Sequence, residues 1–288
     1  MKKIGFIGIG VMGGPIIGHL LRAGYEVYGY TRTKAKAESL IAAGMVWCDT
    51  IALVTVSADV IFTMVGFPKD VEDVYFANDG IFKAITAGKY VVDLTTSEPR
   101  LAQRISKQAQ ELGVHALDAP VTGGDLGAIN GTLTIMVGGE DADFDTILPI
   151  LSVFGKSITL HGAAGFGQHA KMANQIGIAG SLIGMAEVLT YAQQVGLDPE
   201  KVLATVGSGS ASSWQLVNNG PKAVSGDYQP GFYIKHFVKD MNIALDEISE
   251  HQVELPGLQL ANEIYETLID NGKMDLGTQA IIEWYKKQ

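Results

Sequence analysis

Between Lys3 and Leu160 the sequence alternates short apolar runs with segments of helical period, and beyond Leu160 the alternation stops. "KIGFIGI", "EVYGY", "DVIFTMV", "YVVDL" and "VHALD" read as strands, and helical patterns such as "PRLAQRISKQAQEL" lie between several of them. Alternation of this kind builds βαβ units, that is, a parallel sheet with helices on both faces. "TLTIMVGG" and "SITL", separated by the helical "DADFDTILPILSVF", are expected to extend the same sheet. One long helical segment without proline then runs from 167 to about 195, and further helices are expected at 199–206, 235–249, 256–271 and 279–285. The expected architecture is α/β: a doubly wound sheet in residues 1–163, then an all-helical domain in 164–288. The glycine-rich "HGAAGFG" suits the junction.

The long helix carries Gly177, Gly180 and Gly184 among Ile, Leu and Met. Apolar character nearly all round implies burial on several sides. The glycines let another helix approach closely, although each costs roughly 1 kcal/mol of helix propensity against alanine. In so small a domain the expected cover is a partner subunit, giving a homodimer or homotetramer through the helical domain.

Composition excludes several classes of function. With 47% hydrophobic and 18% charged residues the chain of 288 can bury a core in each of two domains. A net charge of −10 and a pI near 5.0 provide no general attraction to nucleic acid or anionic lipid. Cys48 is the only cysteine, which rules out an intrachain disulfide and fits a reducing compartment; it reads as a small core residue. Six scattered histidines form no metal-binding pattern. The opening "MKKIGFIGIG" mimics a leader, but its apolar part runs into glycines and no cleavage pattern follows. The longest charge-free helical stretch, 172–186, contains Asn174, Gln175 and Ser181 and is too short to span a bilayer. A cytoplasmic location is expected.

"IGFIGIGVMGGP" places Gly8, Gly10 and Gly13 in a G-x-G-x-x-G directly after a strand and at the opening of a helix. Gly8 permits a tight turn, Gly10 lets a pyrophosphate approach the backbone, and Gly13 lets the helix pack closely on the strand. The helix start adds unpaired N–H groups for phosphate. Three glycines in a turn can be merely structural, but at the first βα junction of an alternating pattern they indicate a Rossmann-like dinucleotide site. Discrimination between cofactors falls on the end of the second strand. There "YGYTRTKAK" supplies Thr31, Arg32 and Thr33 where an NAD site wants an acid. Arg32 can pair with a 2′-phosphate in a forked geometry, so NADP(H) is expected to be preferred and NAD(H) tolerated.

At this point the motifs resemble those of the β-hydroxyacid dehydrogenases, the group containing 3-hydroxyisobutyrate dehydrogenase, tartronate semialdehyde reductase and the glyoxylate/succinic semialdehyde reductases. "GFIGIGVMGGP" is similar to their "GLGxMGxP", "VDLTTSEP" to "DxSTxxP", and "DAPVTGGDLGAINGTLTIMVGG" to "DAPVSGGxxGAxxGTLxxMVGG". "GFGQHAKMANQ" resembles "GxGxxxKxxNN", and "VKDM" a later Lys-Asp pair. The resemblance implies that Gly8, Gly10, Val11, Met12, Gly13, Met64, Val65, Thr96 and Lys239 contact the cofactor, Thr96 near its nicotinamide end. It implies that Thr122, Gly123 and Gly124 bind a substrate carboxylate, that Lys171 is the catalytic acid/base, and that Asn174 orients the substrate beside it. Gln175, Phe232 and Asp240 complete the implied substrate site. Two departures bear on substrate: Thr122 stands where serine is usual, and Gln175 replaces a second asparagine.

The residues suit this chemistry. Hydride transfer to an aldehyde or ketone leaves negative charge on the carbonyl oxygen, which a lysine ammonium, with a reference pKa of about 10.4, can protonate. Asn174 and Gln175 lie at i+3 and i+4 from Lys171 and share its helix face, expected to look into a cleft between the domains. A snorkelling lysine at a helix end is the structural alternative. "TGG" can turn N–H groups toward one point as a small anion nest, or be just a turn. In "LTTSEP", Thr96 or Ser97 is expected to cap the helix that Pro99 begins. Lys235 and Lys239 would otherwise read as a solvated face, and His169 points away from Lys171. The rival readings are a same-fold imine reductase, against which Lys171 argues, and a non-catalytic cofactor-binding scaffold. A 6-phosphogluconate dehydrogenase would need a longer helical region.

Overall fold

Six strands form one parallel sheet: β1 (Lys3–Ile7), β2 (Glu26–Tyr30), β3 (Val46–Trp47), β4 (Val60–Thr63), β5 (Tyr90–Asp93) and β6 (His115–Asp118). Their order in the sheet is β3-β2-β1-β4-β5-β6, the order of two mononucleotide-binding halves meeting at β1 and β4. The computed structural model describes residues 3–286; Met1 and Lys2 of the leader-like start, and Lys287 and Gln288 of the expected helical domain, lie outside them.

The sheet is buried on both faces, as its apolar runs require. Ile4, Phe6, Val60, Phe62 and Val92 face one core, which takes Ile16, Ile17 and Leu20 from the helix Gly13–Arg22. Ile7, Ile61 and Val91 point the other way and meet Val54 of the helix Ile51–Ser57 and Leu101 and Ile105 of Pro99–Glu111. Alternate residues of one strand thus feed opposite cores. Cys48 is 6% exposed in the second of these, and burial pushes its thiol pKa up, as befits a core residue.

One expectation fails. "TLTIMVGG" and "SITL" do form strands, β8 (Leu133–Val137) and β9 (Gly155–Leu160), but they do not join the six-stranded sheet. With β7 (Val121–Thr122) they make a separate three-stranded sheet, β7 antiparallel to β8 and β8 parallel to β9. A single bridge, Asp118 to Gly138, connects it to β6. The reason lies at Pro120: Asp118 and Gly138 exchange both backbone bonds, but at the next pair Met136 N–H donates to the Pro120 carbonyl at 3.0 Å and Pro120 has no N–H to return, which interrupts the ladder between β6 and β8.

The chain divides into two compact units, one running to Lys171 and the other from Met172. The second contains helices Pro199–Gly207, Gly220–Ser225, Ile234–Ser249, Pro256–Asp270 and Ile282–Tyr285, with no strand among its described residues. Its core gathers Leu182, Met185, Phe237, Met241 and Tyr265. Asp198 caps one helix by accepting from the Glu200 and Lys201 N–H groups, with Pro199 at the first position.

The long helix, Phe166–Gln194, contributes to both units. It has 29 residues and a most apolar stretch of mean hydropathy 1.2, enough in length and composition to cross a bilayer and longer than the charge-free run in the sequence. Its buried side, however, carries Gln168, Lys171 and Gln175 as well as Leu182, Met185 and Leu189, so it serves as a core helix. The expected burial on several sides is incomplete within this chain. Ala173, Gly177, Gly180 and Gly184 form an exposed stripe, and a Cβ placed on any of the three glycines would meet no heavy atom within 4 Å.

Candidate active site

The glycine turn after β1 divides its labour as the motif demands. Gly8 sits at φ +105°, and a Cβ there would lie 2.0 Å from the Met64 carbonyl oxygen. A Cβ on Gly13 would lie 2.1 Å from the carbonyl oxygen of Gly8, so both positions exclude any side chain. Gly10 differs: nothing lies within 4 Å of the same point. The fold therefore needs glycine at 8 and 13, whereas the bareness of Gly10 leaves room for something outside the chain. That is the cradle a dinucleotide pyrophosphate fits, at the start of the ten-residue helix Gly13–Arg22, which has no acidic side chain in its first turn. Val11 is exposed beside it and Met12 partly buried.

The remaining cofactor candidates fall at the carboxyl ends of neighbouring strands, where ligands bind in sheets of this order. Thr31, Arg32 and Thr33 follow β2, Met64 and Val65 follow β4, and Thr96 follows β5. The Arg32 side chain is 84% exposed and ion-paired to Asp70 at 3.3 Å.

The loop after β5 is tightly held. Asp93 Oδ1 accepts from the Thr63 hydroxyl at 2.7 Å and the Thr95 N–H at 3.0 Å, and the Thr95 hydroxyl accepts from the Val65 N–H at 3.0 Å. Burial raises the Asp93 pKa to about 6; the bonds from Thr63 and Thr95 oppose this, and the nearby Asp118 charge reinforces it. Neither Thr96 nor Ser97 caps the following helix: Glu98 holds that position and makes no side-chain cap bond. The Ser97 N–H is instead committed to Gln168 Oε1, 2.9 Å away, while Gln168 Nε2 donates to the Thr95 carbonyl at 2.8 Å.

The start of the long helix rests on the sheet through Asp118. Its two carboxylate oxygens accept from the N–H groups of Gly165 (2.7 Å) and Gln168 (2.8 Å). Burial raises the Asp118 pKa, against these bonds. A Cβ on Gly167 would lie 2.5 Å from the Met136 carbonyl oxygen, which explains the second glycine of "GFGQHAK" as a close approach. Gln168, Asp118, Asp93 and Thr63 are the residues that reading the sequence missed. The signal was an amide and carboxylates within otherwise apolar or glycine-rich stretches, but their partners lie 30 to 73 residues away.

Thr122 ends β7, and Gly123 and Gly124 follow at φ +128° and +64° before the short helix Gly124–Asn130. Both glycines are required by the backbone, and the Thr122-Gly123-Gly124 corner is solvent-accessible.

In the helical unit the candidates form a chain of side chains. Asn174 Nδ2 donates to Gln175 Oε1 at 2.7 Å, and Gln175 Nε2 donates to Asp240 Oδ2 at 2.7 Å. Asp240 Oδ1 is ion-paired to Lys239 at 2.9 Å. Gln175 and Asp240 are each 1% exposed. Ionised carboxylate oxygens only accept, so Asp240 fixes which way the Gln175 amide points, and Gln175 in turn fixes Asn174. One turn earlier on the same helix Lys171 is only 5% exposed, unlike a lysine snorkelling from a helix end. The charged-face alternative fails for Lys239, whose side chain is 12% exposed, whereas Lys235 pairs with Asp275 at the surface. Phe232 packs edge-on to Phe237 at 6.0 Å, and His169 sits against Phe166. A cavity of about 510 Å³ elsewhere in this unit, lined by Leu203, Leu216, Val217 and Val224, contains none of these residues. No cluster suited to a metal ion occurs among the described residues.

A dinucleotide turn on a sheet of this strand order, followed by a long helix with a buried lysine and amides and by further helices, defines a nicotinamide-dependent oxidoreductase. Residues 3–162 match the NAD binding domain of 6-phosphogluconate dehydrogenase, and residues 165–285 the NAD-binding domain of NADP-dependent 3-hydroxyisobutyrate dehydrogenase. The chain is 51% identical to the uncharacterized oxidoreductase YkwC of Bacillus subtilis (strain 168), with 99% of each covered. It is 38% identical to 2-hydroxy-3-oxopropionate reductase of Escherichia coli (strain K12), covering 98% of this chain and 96% of that one. Among solved structures it matches 3-hydroxyisobutyrate dehydrogenase of Mycobacterium tuberculosis at a TM-score of 0.89 and 28% identity, over 98% of both chains. The chain belongs to the β-hydroxyacid dehydrogenase family. It is an NAD(P)-dependent hydroxyacid dehydrogenase.

Proposed function

We propose that the enzyme interconverts a small 3-hydroxy acid and its semialdehyde, or a glyoxylate-like oxo acid and its alcohol, with NADP(H) preferred and Lys171 as the proton donor and acceptor. The observation that carries this reading is the buried lysine with Asn174 and Gln175 on its helix face, the amides held in one orientation by Asp240. When bound, the nicotinamide supplies or takes up the hydride. Gly8, Gly10, Val11, Met12 and Gly13 would hold its pyrophosphate, Met64, Val65 and Thr96 would line the approach to its reactive end, and Lys239 would add a further contact.

In the direction of reduction the Lys171 ammonium gives its proton to the substrate oxygen as that oxygen gains negative charge; in oxidation the neutral amine removes the hydroxyl proton. Reduction is therefore favoured at neutral pH and oxidation toward alkaline pH. Asn174, its amide held by Gln175, orients the substrate beside Lys171. Thr122, Gly123 and Gly124 hold the carboxylate with a hydroxyl and backbone N–H groups, and Gln175, Phe232 and Asp240 shape the remainder of the substrate site. The relative from Escherichia coli is named for an oxo acid of this size, which supports a carboxylate-bearing substrate.

Arg32 supports the NADP(H) preference: exposed and held by one weak surface pair, it is available to a 2′-phosphate. The family description of residues 165–285 names an NADP-dependent enzyme, in agreement. The exposed glycine stripe of the long helix and the apolar groove at Leu203 and Val217 support assembly into a homodimer or homotetramer through the helical unit; a monomer by light scattering would end that part of the proposal. The lone buried Cys48 fits a reducing, cytoplasmic setting.

The test is turnover of NADPH with glyoxylate, succinic semialdehyde, tartronate semialdehyde and methylmalonate semialdehyde, followed by cofactor absorbance. Lys171→Ala should lose roughly 10²–10⁴ in kcat while still binding NADPH. Near-wild-type turnover of that variant would remove Lys171 from the chemistry.

A further inference from the structure

We propose that Gln168 is a positioning residue of the reaction: its amide clasps the backbone on both sides of Thr96 and thereby fixes the helix turn that presents Lys171. The proposal rests on the role given to Lys171 above.

Gln168 is completely buried and belongs to the first turn of the long helix. Its Nε2 donates to the carbonyl of Thr95 at 2.8 Å, and its Oε1 accepts from the N–H of Ser97 at 2.9 Å. The residues it grips flank Thr96 directly. Its own N–H is gripped in turn by Asp118 Oδ2 at 2.8 Å, with Gly165 N–H on Oδ1 at 2.7 Å. Asp118 cannot give way, because its backbone exchanges both hydrogen bonds with Gly138, at 3.1 and 2.7 Å. Thr95 is anchored from behind by Asp93 and by Val65. Each link ends on backbone within the sheet or on the loop ends next to it.

Lys171 lies three residues beyond Gln168, about 4.5 Å along the axis and most of one turn around it. A rotation of the helix start would swing the lysine by the same angle, and the clasp opposes that rotation relative to the loop bearing Thr96. An amide suits the task because it carries a donor and an acceptor on one planar group. A methionine of similar size has neither, and an ionised glutamate would set an acceptor against the Thr95 carbonyl. A protonated glutamate, with one O–H and one carbonyl oxygen, restores both bonds. Complete burial and the nearby carboxylates Asp93 and Asp118 hold the proton of the acid introduced in Gln168→Glu to higher pH than in water, against the opposing charge of Lys171 three residues along the helix.

The experiment compares full-length wild type, Gln168→Met, Gln168→Glu and Lys171→Ala, with NADPH and the fastest of the four substrates named above. Gln168→Met should lose about 10- to 100-fold in kcat at saturating NADPH, with the Kd for NADPH held within about threefold. The kcat of Gln168→Glu relative to wild type should climb as pH falls from about 8 to about 6, the range in which a raised carboxyl pKa is crossed, while the ratio for Gln168→Met stays flat. A merely structural Gln168 would lower the melting temperature and leave both kcat and its pH dependence alone. Wild-type kcat in Gln168→Met, with Lys171→Ala inactive, overturns the clasp and leaves the lysine standing. Full activity in Lys171→Ala overturns both. If Gln168→Met does not fold, a flat pH ratio for Gln168→Glu overturns the proposal by itself.

Discussion

Two buried polar networks, one in each unit, use similar side chains in opposite ways. In the α/β unit, Asp93, Asp118 and Gln168 spend most of their bonds on main-chain groups: Thr95 N–H, Gly165 N–H, Gln168 N–H, Ser97 N–H and the Thr95 carbonyl. In the helical unit, Asn174, Gln175, Asp240 and Lys239 bond to one another. A network that ends on backbone fixes where elements lie. A network that runs from side chain to side chain fixes which end of each amide faces out, because reversing one amide reverses the next. The first kind sets position and the second sets polarity, and they should fail differently when cut.

The largest departure is expected in the helical unit. Asp240→Asn replaces an acceptor-only carboxylate with a group that can present either end, so the Gln175 and Asn174 amides lose their fixed order. A bond to a charged group contributes about 1.5–3 kcal/mol, so kcat should fall about 10- to 100-fold with little change in the Kd for NADPH. The double variant Gln175→Glu with Asp240→Asn restores the donor and acceptor sequence with the amide and carboxylate exchanged, and should recover part of the loss. No recovery would mean that polarity is not what the network sets.

In the α/β unit the corresponding change acts on stability and its pH dependence. Because the Asp93 pKa is raised to about 6 in the folded chain, the folded state holds that proton more tightly than the unfolded one. The contribution of Asp93 to stability is complete below the ordinary carboxylate pKa of about 3.9 and is lost as pH rises through about 6. Asp93→Asn keeps an acceptor for Thr63 and Thr95 without the charge. Urea denaturation should show it gaining on wild type from about pH 4 to about pH 7 and no further above that. A gap independent of pH would show that burial of the charge is not what distinguishes the two.

The smallest effect is expected where neither network operates. Arg32 and Asp70 form an exposed pair of the kind worth about 0–1 kcal/mol. Asp70→Asn frees the arginine and should lower the KM for NADPH by no more than about fivefold, leaving that for NADH unchanged. Arg32→Ala should raise the NADPH value and abolish the difference between cofactors. Equal kcat/KM for both cofactors in the wild type would remove the argument for Arg32.

What the sequence disclosed follows the same division. "EVYGY" forms β2 residue for residue, and the long helix begins and ends within one residue of its expected limits, because burial pattern alone defines such elements. β3 and β7, at two residues each, are too short to show a period. The π turn Gln215–Asn219 and the helix Gly220–Ser225, opening on Gly-Pro, gave no helical signal. β8 and β9 were legible as strands, but a strand pattern does not name its partners, so their separate sheet was not. In the site, Gly8 and Gly13 declare themselves through steric need, and Lys171 through a charge in an apolar segment. Gln168 and Asp118 could not, since an amide within a helix and an acid at a strand end are ordinary until their partners are known.

The concealment of Cys48 has a practical consequence. As the chain's sole thiol, shut inside the core and reluctant to ionise, it should leave the native protein almost silent toward maleimides and similar reagents. A cysteine installed at an exposed site such as Val195 would then be the single reactive handle, so a dye or spin label attached there would report on one known place, free of background.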